Sequence, residues 1–185
     1  MTLEELLSQI AMALECAHVP YMVRGSVASS VHGTPRSTRD LDVVIAPTNE
    51  QLLALIQQFP NPRYYADEQQ ALEALAKTSQ FNVLDSVSGW KVDFIIAKDS
   101  EYGRTALARR RLIDIAGIAM HVTSPEDVIV AKMQWAMQGG SERQLQDAAG
   151  ILSTQGSNLD VAYVEWWVRE LELETQWQEI QQLLQ

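Results

Sequence analysis

A chain of 185 residues, 46% hydrophobic and 21% charged, has a globular composition and room for one good-sized domain, or one domain with a helical appendage. Its net charge of −10 argues against a broad, salt-driven nucleic-acid surface, while leaving room for a nucleotide or a tRNA end held by a local patch. No apolar run approaches the ~20 residues of a membrane span, the acidic N-terminus MTLEELLSQIAMALE is unlike a secretory signal, and the lone Cys16 permits no intramolecular disulfide, so a cytoplasmic setting is expected.

In chain order, Thr2 and Glu5 form a capping box ahead of apolar residues at helical spacing through Ala17. Residues 21–24 read as a short strand running into Gly25. Residues 26–32 read as a short helix that Gly33-Thr34-Pro35 stops. Residues 40–46 form a strand of near-continuous apolar character after two acids, which predicts a central position. Thr48 and Gln51 cap a helix to Phe59, and residues 60–62 are a loop. A polar-faced helix over 67–77 precedes two strand-like runs, 80–85 and 90–97, which read as a hairpin. Residues 101–110 are helical, and 112–115 and 118–122 are further strand pieces. The pattern turns helical from Ser124, with Pro125 at the first helical position and Asp127 completing a cap. Glycines at 139–140 and residues 156–158 break the C-terminal third into helices at 142–153, 160–172 and 175–184. The expected layout is an α+β fold: a mixed sheet flanked by helices over residues 1–122, then a small helical cap over 123–185.

Chemistry concentrates in the segment 23–45, VRGSVASSVHGTPRSTRDLDVVI. In a strand, side chains at i and i+2 share a face, so Asp40 and Asp42 sit side by side while Leu41 turns into the core. Two carboxylates that close repel unless a cation lies between them, and a hard divalent ion with oxygen ligands, Mg²⁺ above all, is the natural occupant. Gly25-Ser26, at the head of a short helix, is the kind of element that holds phosphates. Its plain alternative is an ordinary strand-to-helix turn. Asp93, in WKVDFIIA, is costly inside an apolar strand unless paired or metal-bound. On the face of Asp40 and Asp42 it completes a three-carboxylate cluster able to hold two divalent ions. On an edge strand it would merely face solvent.

Hydrophobic-Gly25-Ser26, a short helix, Asp40-Leu41-Asp42 and then Val92-Asp93-Phe94 resemble the signature of the DNA polymerase beta-like nucleotidyltransferase superfamily. The wording GTPRSTRDLDVVI is similar to small prokaryotic members related to the AbiEii-type toxins of type IV toxin–antitoxin systems. A later motif of that group is matched by Lys132 in SPEDVIVAKMQWAM and by Arg143 and Asp147 in SERQLQDAAGIL, so the resemblance covers residues 21–152. It implies Mg²⁺ on Asp40 and Asp42, a second ion on Asp93, and Asp93 as the base for an acceptor hydroxyl. It also implies an NTP whose phosphates meet Gly25, Ser26, Arg36, Arg39 and Lys132. The acceptor is open between tRNA, a protein hydroxyl and a small molecule, and a cognate antitoxin is an implied partner.

Each of these residues has a simpler reading. Arg39 neutralises Asp40, Lys132 snorkels along an apolar surface, and Arg143 with Asp147 is a surface i, i+4 pair. Arg109-Arg110-Arg111 reads as a solvated helix end balancing the helix dipole, His32 as a helix-end residue and Cys16 as core. Tyr163, Trp166, Trp167 and Trp177 read as packing within the helical cap, or as a partner surface. Three functions follow: a Mg²⁺-dependent nucleotidyltransferase, a catalytically inactive version that binds a nucleotide or a protein, and an interaction protein using the Trp-bearing helix.

Overall fold

Strand alternation organises the molecule. The computed structural model describes residues 2–35, 37–139 and 141–184. Its strands are β1 (Tyr21–Arg24), β2 (Asp40–Ile45), β3 (Tyr64–Ala66), β4 (Gln80–Asp85), β5 (Lys91–Ile96), β6 (Arg111–Ile115) and β7 (Ile118–Val122). They form one mixed sheet in the order β3-β4-β5-β2-β1-β7-β6. β2 is parallel to β5 and β1 to β7, and the other neighbours are antiparallel. The expected central place of β2 and the expected β4–β5 hairpin are present, and β6 and β7, expected only as strand pieces, pair as a second hairpin. β3, which follows Pro60–Pro62 and has three residues, had no counterpart in the sequence reading.

The helices are α1 (Leu3–Cys16), α2 (Gly25–His32), α3 (Asn49–Ile56), α4 (Glu68–Lys77), α5 (Glu101–Ala108), α6 (Pro125–Gly139), α7 (Glu142–Gln155), α8 (Val161–Glu170) and α9 (Glu174–Gln182). Capping boxes start α1 at Thr2 and α3 at Thr48. The fold is α+β, a seven-stranded mixed sheet with flanking and C-terminal helices. Among the described residues, no helix is long and apolar enough to cross a membrane.

The two faces of the sheet differ. On one, Val23, Leu41, Val43, Ile45, Phe81, Val83, Val92 and Phe94 are buried. They join the apolar stripes of α1 (Leu6, Leu7, Ile10, Leu14) and α3 (Leu52, Leu55, Ile56) in a core that also reaches the C-terminal helices. Phe94 is fully buried, stacked on Phe81 at 5.3 Å and tilted on Phe59 at 6.1 Å. On the opposite face, Met22, Val44 and Ala106 form a smaller cluster under α5, with Ile95, Ala97, Tyr102 and Leu107 packed around it. By the two-residue period, Arg24, Asp42 and Asp93 continue this second face beyond the cluster. α2 packs against β1 and β2 on one side and α6 and α7 on the other, which couples the sheet to the helical third.

Cys16 is exposed rather than in the core. It closes α1, whose buried positions are Leu6, Leu7, Ile10, Ala11, Ala13 and Leu14, so it falls off the apolar stripe.

Phe94→Ala empties the centre of the main core. It is expected to cost about 3–5 kcal/mol in urea denaturation, and a loss below about 1 kcal/mol would contradict this account of the packing.

Candidate active site

The site is built where β1 hands over to α2. β1 and β2 are antiparallel with Arg24 opposite Asp42, and β2 and β5 are parallel with Asp42 opposite Asp93 and Asp40 opposite Lys91. β4 places Asn82 opposite Asp93. Side chains directly opposite in a sheet share a face, so Arg24, Asp42, Asp93 and Asn82 form one row across four strands. Asp40 and Lys91 begin the next row.

Gly25 makes room for this row. Its φ is +66°, a conformation L residues rarely adopt, and a Cβ built on it would lie 1.9 Å from Asp42 Oδ2 and 2.7 Å from its Cγ. The Asp42 carboxylate therefore occupies the space a side chain would take. α2 then begins with Arg24 as its N-cap and no side-chain cap hydrogen bond. Its first backbone N–H groups form an end of positive potential with no capping side chain, suited to an anion. Ser29 Oγ donates to the Gly25 carbonyl at 2.9 Å. Thr38 Oγ1 accepts from the Asp40 N–H and donates to the Asp40 carbonyl, both at 3.1 Å, holding the entry to β2.

The electrostatics follow from crowding. Burial pushes the Asp42 carboxyl above its ordinary pKa, and the charges of Asp93 and Asp40 add to the rise, while Arg24 and Lys91 oppose it. Burial lowers the Arg24 guanidinium pKa, against the pull of Tyr102 and Asp42. Lys91 Nζ lies 2.9 Å from Asp93 Oδ2 and 3.7 Å from Asp40 Oδ1. Its hydrogen bond to Asp93 raises its pKa above the usual lysine value. Among the described residues, no group of three or more His, Cys, Asp or Glu side chains is arranged to hold a metal ion. The donor set nonetheless fits a hard divalent ion in kind. It is all carboxylate oxygen, drawn from two adjacent strands, with one member pressed into a glycine cradle.

The remaining candidates fall into two groups. Arg39 is exposed next to Asp40, and its carbonyl accepts from the Lys91 N–H at 3.4 Å. Arg36 lies outside the described residues. Lys132 is buried in α6 and pairs with Asp147 of α7 at 2.6 Å, so Asp147 meets a lysine across the helix interface. His32 is buried at the end of α2, its Nε2 2.7 Å from the Thr123 carbonyl oxygen.

Arg109 and Arg111 are not a solvated helix end. Glu126, 1% exposed, lies 3.4 Å from Arg109 and 3.3 Å from Arg111 and accepts from the Asp160 N–H. Asp127, fully buried, accepts from Ser124 Oγ at 2.6 Å and Tyr163 Oη at 2.7 Å. Tyr102 Oη donates to the Asp127 carbonyl at 3.0 Å, and the Arg109 guanidinium lies 3.8 Å from the Tyr163 ring centroid. These contacts fasten α5 and β6 to α6 and α8. Trp167 and Trp177 are buried in the helical region, whereas Trp166 is 39% exposed.

Sequence reading missed Arg24, Lys91 and the partners of Arg109 and Arg111. Lys91 had a usable signal: it precedes Asp93 by one strand alternation. Arg24 directly precedes Gly25, but its place opposite Asp42 depends on strand register.

No protein-family model and no curated protein matches the chain. Solved structures do. The chain is similar to the solution structure of the antibiotic-resistance factor ANT(2'')-Ia, with a TM-score of 0.55 at 14% identity over 95% of this chain and 96% of that one. The crystal structure of ANT(2'')-Ia in complex with adenylyl-2''-tobramycin gives 0.56 at 14% identity, over 91% of this chain and 97% of that one. An antigenic nucleotidyltransferase-like protein from Paracoccidioides brasiliensis gives 0.53 at 16% identity, over 95% and 93%. The fold is thus the one these nucleotidyltransferase structures share.

Two substitutions test the site's construction. Gly25→Ala meets both the positive φ and the Asp42 carboxylate, and is expected to lower stability by about 2 kcal/mol or more in chemical denaturation; a variant as stable as the parent would contradict the cradle. Glu126→Gln removes the charge that Arg109 and Arg111 face; with those arginines part-exposed, the expected loss is about 1 kcal/mol at pH 7. Burial would raise the Glu126 pKa, but backbone N–H groups and Arg111 hold it below 4.5. Its contribution is therefore present above pH 4.5 and fades as pH falls through the folded value, so the gap between parent and variant should narrow in acid. A gap that widens in acid would contradict the assignment.

Proposed function

We propose that this chain is a nucleotidyltransferase that moves a nucleoside monophosphate from an NTP to a hydroxyl. The observation that carries the reading is the register Asp42 opposite Asp93, set against Gly25 and the uncapped start of α2. It occurs on the fold shared with ANT(2'')-Ia and the nucleotidyltransferase-like protein.

Asp40, Asp42 and Asp93 are the residues that would hold divalent metal, Mg²⁺ by their hard oxygen donors, which when bound neutralises triphosphate charge and steadies the entering and leaving oxygens. The backbone N–H groups at the start of α2 bind phosphate oxygens, with Ser26 beside them. Asp93 takes the proton of the acceptor hydroxyl. That oxygen forms a bond to the α-phosphorus as the bond to the β-phosphate bridge breaks, and pyrophosphate leaves with the electron pair. Arg39, exposed beside Asp40, would meet phosphate charge, and Arg36, outside the described residues, is proposed for the same role from the sequence alone. Lys132 acts through its pair with Asp147 by holding together the helices on which α2 rests.

The acceptor is a small, cationic polyhydroxyl compound. The net charge of −10 repels a polyanion and attracts a cation. ANT(2'')-Ia was solved with an adenylyl group carried by tobramycin. A second reading, a nucleotide-binding module without catalysis, is favoured by Lys91, which occupies two of the three carboxylates.

Incubation with α-labelled NTPs, Mg²⁺ and separate pools of aminoglycosides, tRNA and protein separates these readings. Label should pass to an aminoglycoside-like compound, and Asp42→Asn or Asp93→Asn should reduce transfer by about 10²–10⁴-fold. Label on tRNA would instead support the toxin-like role. Transfer that survives in Asp42→Asn would sink the mechanism, and nucleotide binding without transfer to any pool would establish the binding module.

A further inference from the structure

We infer that Lys91 is the resident counter-cation of the carboxylate row and that a divalent ion and the Lys91 ammonium exclude one another from Asp40 and Asp93. This rests on the reading of Asp40, Asp42 and Asp93 as metal-holding residues.

The inference begins with register. Lys91 lies directly opposite Asp40 in the parallel pair and one alternation before Asp93. Its side chain therefore emerges on the carboxylate face, and Nζ reaches Asp93 Oδ2 at 2.9 Å and Asp40 Oδ1 at 3.7 Å. Oxygens that ligate a hard divalent ion approach it to about 2.0–2.6 Å. An ammonium between the same two carboxylates occupies that space and carries a repelling charge. The two cations compete for one place.

The other cation of the row is built differently. Arg24 is half-buried opposite Asp42, at the point where β1 becomes α2. Its planar guanidinium is more weakly hydrated than an ammonium, so it gives up the partly buried position less readily. Lys91 has a side chain 39% exposed, a flexible stem and a compact charge that water re-solvates readily. Arg24 is the fixed counter-charge and Lys91 the exchangeable one.

Two consequences follow. Without metal, Lys91 offsets the repulsion that three carboxylates on adjacent strands would otherwise impose on the sheet. With metal, the released ammonium stays tethered two residues from Asp93, on the face where triphosphate oxygens would lie. Lys91 is thus a positioning residue that lowers metal affinity in the free protein.

Mn²⁺ binding followed by electron paramagnetic resonance tests this with the intact protein. Lys91→Met should bind Mn²⁺ at least about tenfold more tightly than the parent. Lys91→Arg, which keeps the charge, should stay close to the parent. Arg39→Met removes a neighbouring exposed charge without vacating the carboxylates, and should tighten binding by no more than about threefold. Thermal melts give a second readout: Lys91→Met should melt lower than the parent in EDTA and gain more on adding Mn²⁺. Equal or weaker Mn²⁺ binding by Lys91→Met overturns the proposal and leaves the nucleotidyltransferase reading standing. So does equal tightening in Arg39→Met, because simple charge removal would then explain it. No Mn²⁺ binding by parent or variants overturns the proposal together with the metal-holding reading of the row.

Discussion

The repulsion among carboxylates held on one face of two adjacent strands is the constraint around which this structure is arranged. Asp40, Asp42 and Asp93 cannot separate, because Leu41, Val43, Val92 and Phe94 on the other face anchor β2 and β5 in the core. The apolar face thus supplies the rigidity that keeps like charges together. Relief comes from the residues around them. Arg24 stands opposite Asp42, Lys91 bridges Asp93 and Asp40, and Gly25 yields the volume of a side chain to the Asp42 carboxylate.

The same arrangement links the sheet to the helical third. α2 starts at the carboxylate row and packs on α6 and α7, whose mutual packing includes the buried Lys132–Asp147 pair. A second set of contacts, the part-exposed Arg109 and Arg111 on buried Glu126, with Tyr163 and Ser124 on buried Asp127, joins α5 and β6 to α6 and α8. Such pairs add little net stability against apolar replacements, yet breaking one partner is costly. Their effect here is geometric: they hold α5 over the Met22, Val44 and Ala106 cluster on the carboxylate face.

What could be read from the chain depended on how local each signal was. Asp40-Leu41-Asp42 and Val92-Asp93-Phe94 were legible because acids interrupting an apolar strand violate a two-residue pattern visible within six residues. The β4–β5 hairpin and the capping boxes were legible for the same reason. β3 was not, since three residues carry no periodicity. Arg24 opposite Asp42 and Lys91 opposite Asp40 take their meaning from strand register, which joins residues far apart in sequence, although the spacing of Lys91 from Asp93 was a local signal. Arg109 and Arg111 look like a helix end when only neighbours are considered, but their partner Glu126 lies on another element. Asp147 shows the same limit: local spacing offered Arg143, whereas the fold supplies Lys132.

The central claim is that the Asp42–Asp93 row, beside Gly25 and the start of α2, is where an NTP and its metal bind. Anomalous diffraction from crystals grown with Mn²⁺ and an NTP that cannot be cleaved at the α-phosphate tests it directly. The account predicts a Mn²⁺ peak within ligand distance of Asp42 and Asp93, with phosphate oxygens on the first N–H groups of α2. A nucleotide bound elsewhere, with no Mn²⁺ at these carboxylates, would contradict it.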